Sequence, residues 1–255
     1  MQRARRLASI AVVAVTAVAG LSACRTEPDV AAYIGKSTIT GDRVDAVYAD
    51  AQRKLDAAVH QARAQQSAAP DPSAPPIPPD VKLAITRGDV LTALIGADLL
   101  GRIAKASNVK PAEVQAAQVA QQLQLPADAE YVGLYVQYRG YLSALINTAP
   151  VGKPTNADMQ SLYDRLKAGG ALGAEPISYK QFAAGLSAQE TDAVSRSVGL
   201  RDKLAAEIKK ENVSVNPRFG VEELPLLPVV LQTGKSINAI GVPLSSGGAA
   251  VVDGS

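Results

Sequence analysis

The chain has 255 residues with 26 basic and 24 acidic side chains, a formal net charge of +2. One cysteine excludes an intramolecular disulfide, one histidine leaves no His cluster for a metal, and the near-balanced charge gives no basic footprint for nucleic acid. With no Trp, two Phe and much Ala, Leu and Gln, the composition favours a mostly helical body.

Arg3, Arg5 and Arg6 open the chain, an apolar run follows from Leu7 to Leu21, and small residues close it. This is the layout of a secretory signal peptide over residues 1–23. The run of about 15 residues falls short of the roughly 20 that a helix needs to span a bilayer. Its end, Leu21-Ser22-Ala23-Cys24, resembles the lipobox of bacterial lipoproteins. That resemblance implies cleavage before Cys24, a diacylglycerol on its sulfur and a membrane-held chain facing the extracytoplasmic side. The alternative is an ordinary free thiol, an unusual occurrence in an oxidising compartment. Cleavage removes three arginines and no acid, so residues 24–255 would carry 23 basic against 24 acidic side chains. The membrane contact would then be the lipid rather than a polybasic patch.

Residues 24–29 read as a tether, at most about 20 Å long when fully extended. Val30–Ile34 is β-prone, Gly35-Lys36 suits a tight turn, and Ser37-Thr38-Ile39 is a second short strand. Thr40 is a suitable N-cap for a helix over about 41–66, with Val44, Val47, Tyr48, Leu55 and Val59 at helical spacing. Six prolines between Ser67 and Asp80 predict a solvated, polyproline-like connector, or else a proline-rich ligand for another module. Helical spacing resumes over 83–107 in the most apolar helix of the mature chain, expected to be central. A further helix should follow Pro111 to about Leu123.

The next predicted helix, 127–147, carries Tyr131, Leu134, Tyr135, Tyr138, Tyr141, Leu142 and Leu145 three or four residues apart, on one face. Tyrosine brings apolar area and a hydroxyl that seeks a partner. The stripe either packs in the core or lines a groove for extended chains; in the second case Tyr135, Tyr138 and Leu142 are the peptide-binding candidates. Thr155 or Asn156 caps a helix over about 157–168, Ser178–Gly185 is a short helix, and Ser187 with Glu190 forms a capping box for a helix to about Asn212. Val213-Ser214-Val215 alternates as a short strand does. Beyond Gly220, prolines 225 and 228 and a Gly/Ser/Ala-rich end predict a partly ordered tail over 221–255, with Leu224–Leu231 as a docking surface if a dedicated partner exists.

The opening Ala31-Ala32-Tyr33-Ile34-Gly35, the Ser37-Thr38-Ile39-Thr40 that leads into a long helix, and the closing Val213–Gly220 are similar to the N-terminal chaperone domain of SurA- and PrsA-type periplasmic foldases. The resemblance covers about residues 30–220. It implies a mainly α, SurA/trigger-factor-like domain whose first strand pairs with its last, and a function in binding unfolded or partly folded exported polypeptides. Ile34 stands where that family's opening segment usually has Asn. The chain is expected to lack the parvulin isomerase domain that many members carry, and with it isomerase activity, since the histidines of that domain's site have only His60 to stand for them.

No residue set nominates a reaction. A Ser-His-Asp arrangement would need His60, and no Gly-x-Ser-x-Gly elbow exists. Gly35-Lys36-Ser37 and Gly234-Lys235-Ser236 lack the earlier glycine of a phosphate loop, Val30 and Val229 standing there instead. The expectation is a non-enzymatic binder without cofactor or metal, whose partners are exported polypeptides or, alternatively, one folded cell-envelope protein.

Overall fold

In the computed structural model, which describes residues 29–68, 77–78, 80–173, 175, 177–231 and 236–244, the apolar segment Val30–Ile34 is strand β1. It turns through Gly35 into β2 (Ser37–Thr40). Gly35 has a φ of 59°, in the left-handed region where glycine has no steric penalty, and its N–H donates to Glu211 O at 2.8 Å. Thr40 Oγ1 accepts from Arg43 N at 3.2 Å, capping α1 (Gly41–Ala68), which runs two residues past its predicted end. Most of the proline-rich segment lies outside the described residues; Arg63 on α1 donates to Pro78 O at 2.6 Å.

Helix α2 (Arg87–Ala106) begins four residues later than its apolar spacing predicts. Thr86 and Asp89 form a capping box, Asp89 N donating to Thr86 Oγ1 at 3.1 Å and Thr86 N to Asp89 Oδ2 at 2.8 Å. That reciprocal pair fixes the start, so Leu83 and Ile85 stay in the non-helical lead-in. The helix is central as expected: Leu91, Ile95, Leu99 and Leu100 are fully buried. Full burial stabilises each by roughly 1.5–3 kcal/mol. Pro111 does not open a helix; α3 (Ala116–Leu123) starts five residues on and ends at Gln124 in the left-handed region.

Helix α4 (Glu130–Thr148) packs along α2, with α1 and α7 beside it. After α5 (Asn156–Gly169) and α6 (Tyr179–Gly185), each opened by a capping box, comes α7 (Ala188–Lys210), opened by the expected box of Ser187 and Glu190. Arg201 of α7 ion-pairs with Asp158 of α5, and this guanidinium holds the Asp158 carboxyl down at a pKa of about 2. Strand β3 (Ser214–Val215) then joins β1 antiparallel, pairing Ala32 with Val215 and Tyr33 with Ser214. Asn216 extends the join, donating from its N to Ala31 O at 2.9 Å and from Nδ2 to Val30 O at 3.0 Å. The first and last strands of the helical body are thus stitched together, and the described residues are mainly helical with two small antiparallel sheets.

The expectation for 221–255 is corrected over its described part. Strands β4 (Glu223–Val230) and β5 (Ser236–Pro243) form an antiparallel hairpin with register shifts on either side of Leu227. Leu224, Leu226, Val242 and Leu244 are all at most 1% exposed and belong to the same core as the helices. Prolines are tolerated here because a two-stranded sheet gives each strand an unpaired edge. Arg165 of α5 clamps the hairpin by donating to both Glu223 carboxylate oxygens, at 2.6 and 3.0 Å. Of a docking surface over Leu224–Leu231, Leu224 and Leu226 are internal, Val230 is strongly exposed and the other residues are half-buried. Residues 245–255 lie outside the described part.

Candidate functional site: a tyrosine-walled cleft

Four segments meet around an open cleft of about 550 Å³. Helix α4 supplies Tyr131, Tyr135, Tyr138 and Arg139; α2 and its lead-in supply Ile85, Asp89 and Thr92; α3 adds Gln122 and Leu123; the hairpin closes one side with Pro225, Pro228, Val230, Ser236 and Asn238. This volume lies in the range of about 300–1,000 Å³ typical of ligand sites.

The spacing of α4 builds the aromatic wall. Residues 131, 135 and 138 follow each other at i+4 and i+3, which puts successive rings side by side. Ring centroids are 5.9 Å apart for Tyr131–Tyr135 and 6.0 Å for Tyr135–Tyr138, the second pair edge to face at 64°. Tyr138 is held from two sides. Its hydroxyl donates to Pro225 O, and its ring lies over Gly96 of α2, where an added Cβ would come within 2.7 Å of Cε2. Glycine at 96 is thus a packing requirement of the cleft floor. Deleting 221–255 would remove this floor contact and one wall.

The three sequence candidates divide. Tyr135 is half-buried and lines the cleft. Tyr138 also lines it but is 4% exposed, a floor residue rather than a free surface. Leu142 is 3% exposed and does not line the cleft at all; it faces the core. A helical apolar face is about 100° wide, and here its two edges have different neighbours. The edge through Tyr131 and Tyr135 meets the cleft, and the edge through Leu142 and Leu145 meets the other helices.

Several polar groups around the cleft already have partners. The Asp89 carboxylate is engaged by Thr86, whose Oγ1 donates to it at 2.7 Å, and Thr92 Oγ1 donates to Gly88 O at 2.8 Å. Among the described residues, the Tyr131 and Tyr135 hydroxyls and the Arg139 guanidinium have no hydrogen-bond or ion-pair partner, and Asn238 Oδ1 is buried and unpaired. Burial raises the Tyr131 and Tyr138 phenols well above their ordinary value, with Asp89 adding to the effect at Tyr131 and Tyr135 at Tyr138. Both remain neutral hydrogen-bond donors at any physiological pH.

Sequence reasoning missed Arg139. It continues the Tyr131–Tyr135 row at i+4, and that spacing was the available signal. Cys24 lies outside the described residues. His60 is exposed on α1, and no trio of His, Cys, Asp or Glu able to hold a metal occurs among the described residues. No described helix is long and apolar enough to cross a membrane. Comparisons with family models, curated proteins and solved structures gave no match.

Proposed function

We propose that this chain is a lipid-anchored, extracytoplasmic binder that holds extended or non-native segments of exported polypeptides in the tyrosine-walled cleft. The observation that carries the reading is the cleft: an open trough with an aromatic wall on one side, prolines on the other and tyrosine hydroxyls at 131 and 135 without a partner among the described residues. Aromatic and aliphatic walls accept varied side chains, and rotatable hydroxyls accept varied backbone paths. The lipobox-like Leu21–Cys24 supports the address, and the SurA-like resemblance supports the clientele. The β1–β3 pairing agrees with the strand arrangement that the resemblance implies. With Cys24 only six residues before β1, the cleft would lie close to the bilayer.

The alternative, a scaffold for one folded partner, would use the outward part of Leu224–Leu231: Leu224 and Leu226 are core residues, while Val230 is exposed. The test is a light-scattering assay of an unfolded, secreted client with the purified full chain. At equimolar protein, aggregation should slow at least twofold, and Tyr135→Ala should weaken the effect. No slowing at equimolar protein would sink the proposal.

A further inference from the structure

The unpartnered donors of the cleft specify its occupant more closely, and this step rests on the reading of the cleft as a peptide site. Among the described residues, every arginine except Arg139 has a carboxylate, a carbonyl or an aromatic ring against its guanidinium. Arg139 is half-buried, lines the cleft and has none of these. A planar, permanently charged fork in that position is suited to a carboxylate that reaches it from outside. Tyr131 adds a neutral donor to the same wall. It lines the cleft one turn before Tyr135 and two before Arg139, and its hydroxyl has no hydrogen-bond partner among the described residues.

We infer that the cleft selects extended peptide segments that present a carboxylate, bound by the Arg139 guanidinium and by the Tyr131 and Tyr135 hydroxyls. All three groups can donate, so the complementary ligand atom is an acceptor, and the fixed positive charge makes it an anion. Asp89 lines the same cleft, and its charge disfavours a dianion such as a phosphate monoester, leaving a single carboxylate as the best match. The same chemistry can come from a chain's C-terminus or from an Asp or Glu side chain within it.

The experiment measures binding of three fluorescent peptides to the full chain by anisotropy. All share one aromatic-aliphatic sequence. One ends in a free acid, one carries an internal Glu with an amidated end, and one is amidated and uncharged. At least one acidic peptide should bind about tenfold tighter than the neutral one, and this advantage should shrink at high salt. Which acidic peptide gains identifies the source of the carboxylate. Arg139→Gln should abolish the advantage, and Arg139→Lys should retain part of it. If all three peptides bind equally, or Arg139→Gln keeps the preference, the carboxylate inference is overturned while the peptide site stands. If none binds, both fall. Circular dichroism of Arg139→Gln separates lost recognition from lost folding.

Discussion

Leu224→Ala should lower the unfolding free energy by about 2–5 kcal/mol in urea titration, one of the largest single effects in the chain. The composition after Gly220 predicts a tail whose truncation costs little, because exposed positions tolerate substitution within about 0.5 kcal/mol. The structure puts Leu224 at 0% exposure, with its Cδ1 beside Gly96 on the central helix. Removing its isopropyl group leaves a void between α2, Tyr138 and the hairpin, lined by backbone and rings that relax little. Val230, on the same strand but 55% exposed, is the internal control; Val230→Ala should fall within about 0.5 kcal/mol. Thermal unfolding should show the same contrast, a drop of at least about 4 °C for Leu224→Ala. Equal, small effects at both positions would return the hairpin to the status of a tail and remove one wall of the cleft.

Gly199→Ala should destabilise, while Gly133→Ala should stabilise, although both glycines lie inside helices. Alanine is intrinsically better than glycine in a helix by about 1 kcal/mol. At Gly133 an added Cβ meets nothing within 4 Å, so the propensity gain stands. At Gly199 it runs into the carbonyl oxygen of Pro150 and lies 3.2 Å from Gly152 N. Those are backbone atoms, held by the Gly152 N–H donating to Ser195 O at 2.9 Å, and no rotamer change can clear them. Overpacking of this kind costs about 1–3 kcal/mol or more, which outweighs the propensity term. The net expectation is a loss of about 1–2 kcal/mol at 199 against a gain of up to about 1 kcal/mol at 133. Chemical denaturation of the two variants in parallel gives the signs directly. A gain at 199 would mean that α7 and the 149–152 segment are not in close contact.

The helices were legible because their apolar positions recur every three or four residues and because Ser and Thr caps stand where the spacing begins. Where two signals competed, the reading failed locally. Leu83 and Ile85 fit the helical phase of α2, but the Thr86–Asp89 capping box starts the helix after them and leaves Ile85 to line the cleft. The hairpin was illegible because prolines 225 and 228 remove two backbone donors from a segment with no helical spacing, and a two-stranded sheet of this kind depends on long-range packing for its existence. The cleft was half legible. Tyrosine spacing marks a face, but a face says nothing of which neighbour covers which edge. Tyr135 and Leu142 are equal members of the stripe in sequence and opposite in fate: one opens to the cleft, the other sits in the core. Arg139 was hidden because an apolar stripe is sought by its apolar members.

The central claim is that extended chains lie against Tyr135. The direct measurement places a photo-crosslinking phenylalanine analogue at position 135, where the half-buried ring leaves room for it, and at Gln137, an exposed position of the same helix that does not line the cleft. Each form is irradiated with an unfolded secreted client. The cleft reading predicts strong crosslinking from 135 and little from 137. Equal yields at both positions, or none from 135, would contradict it.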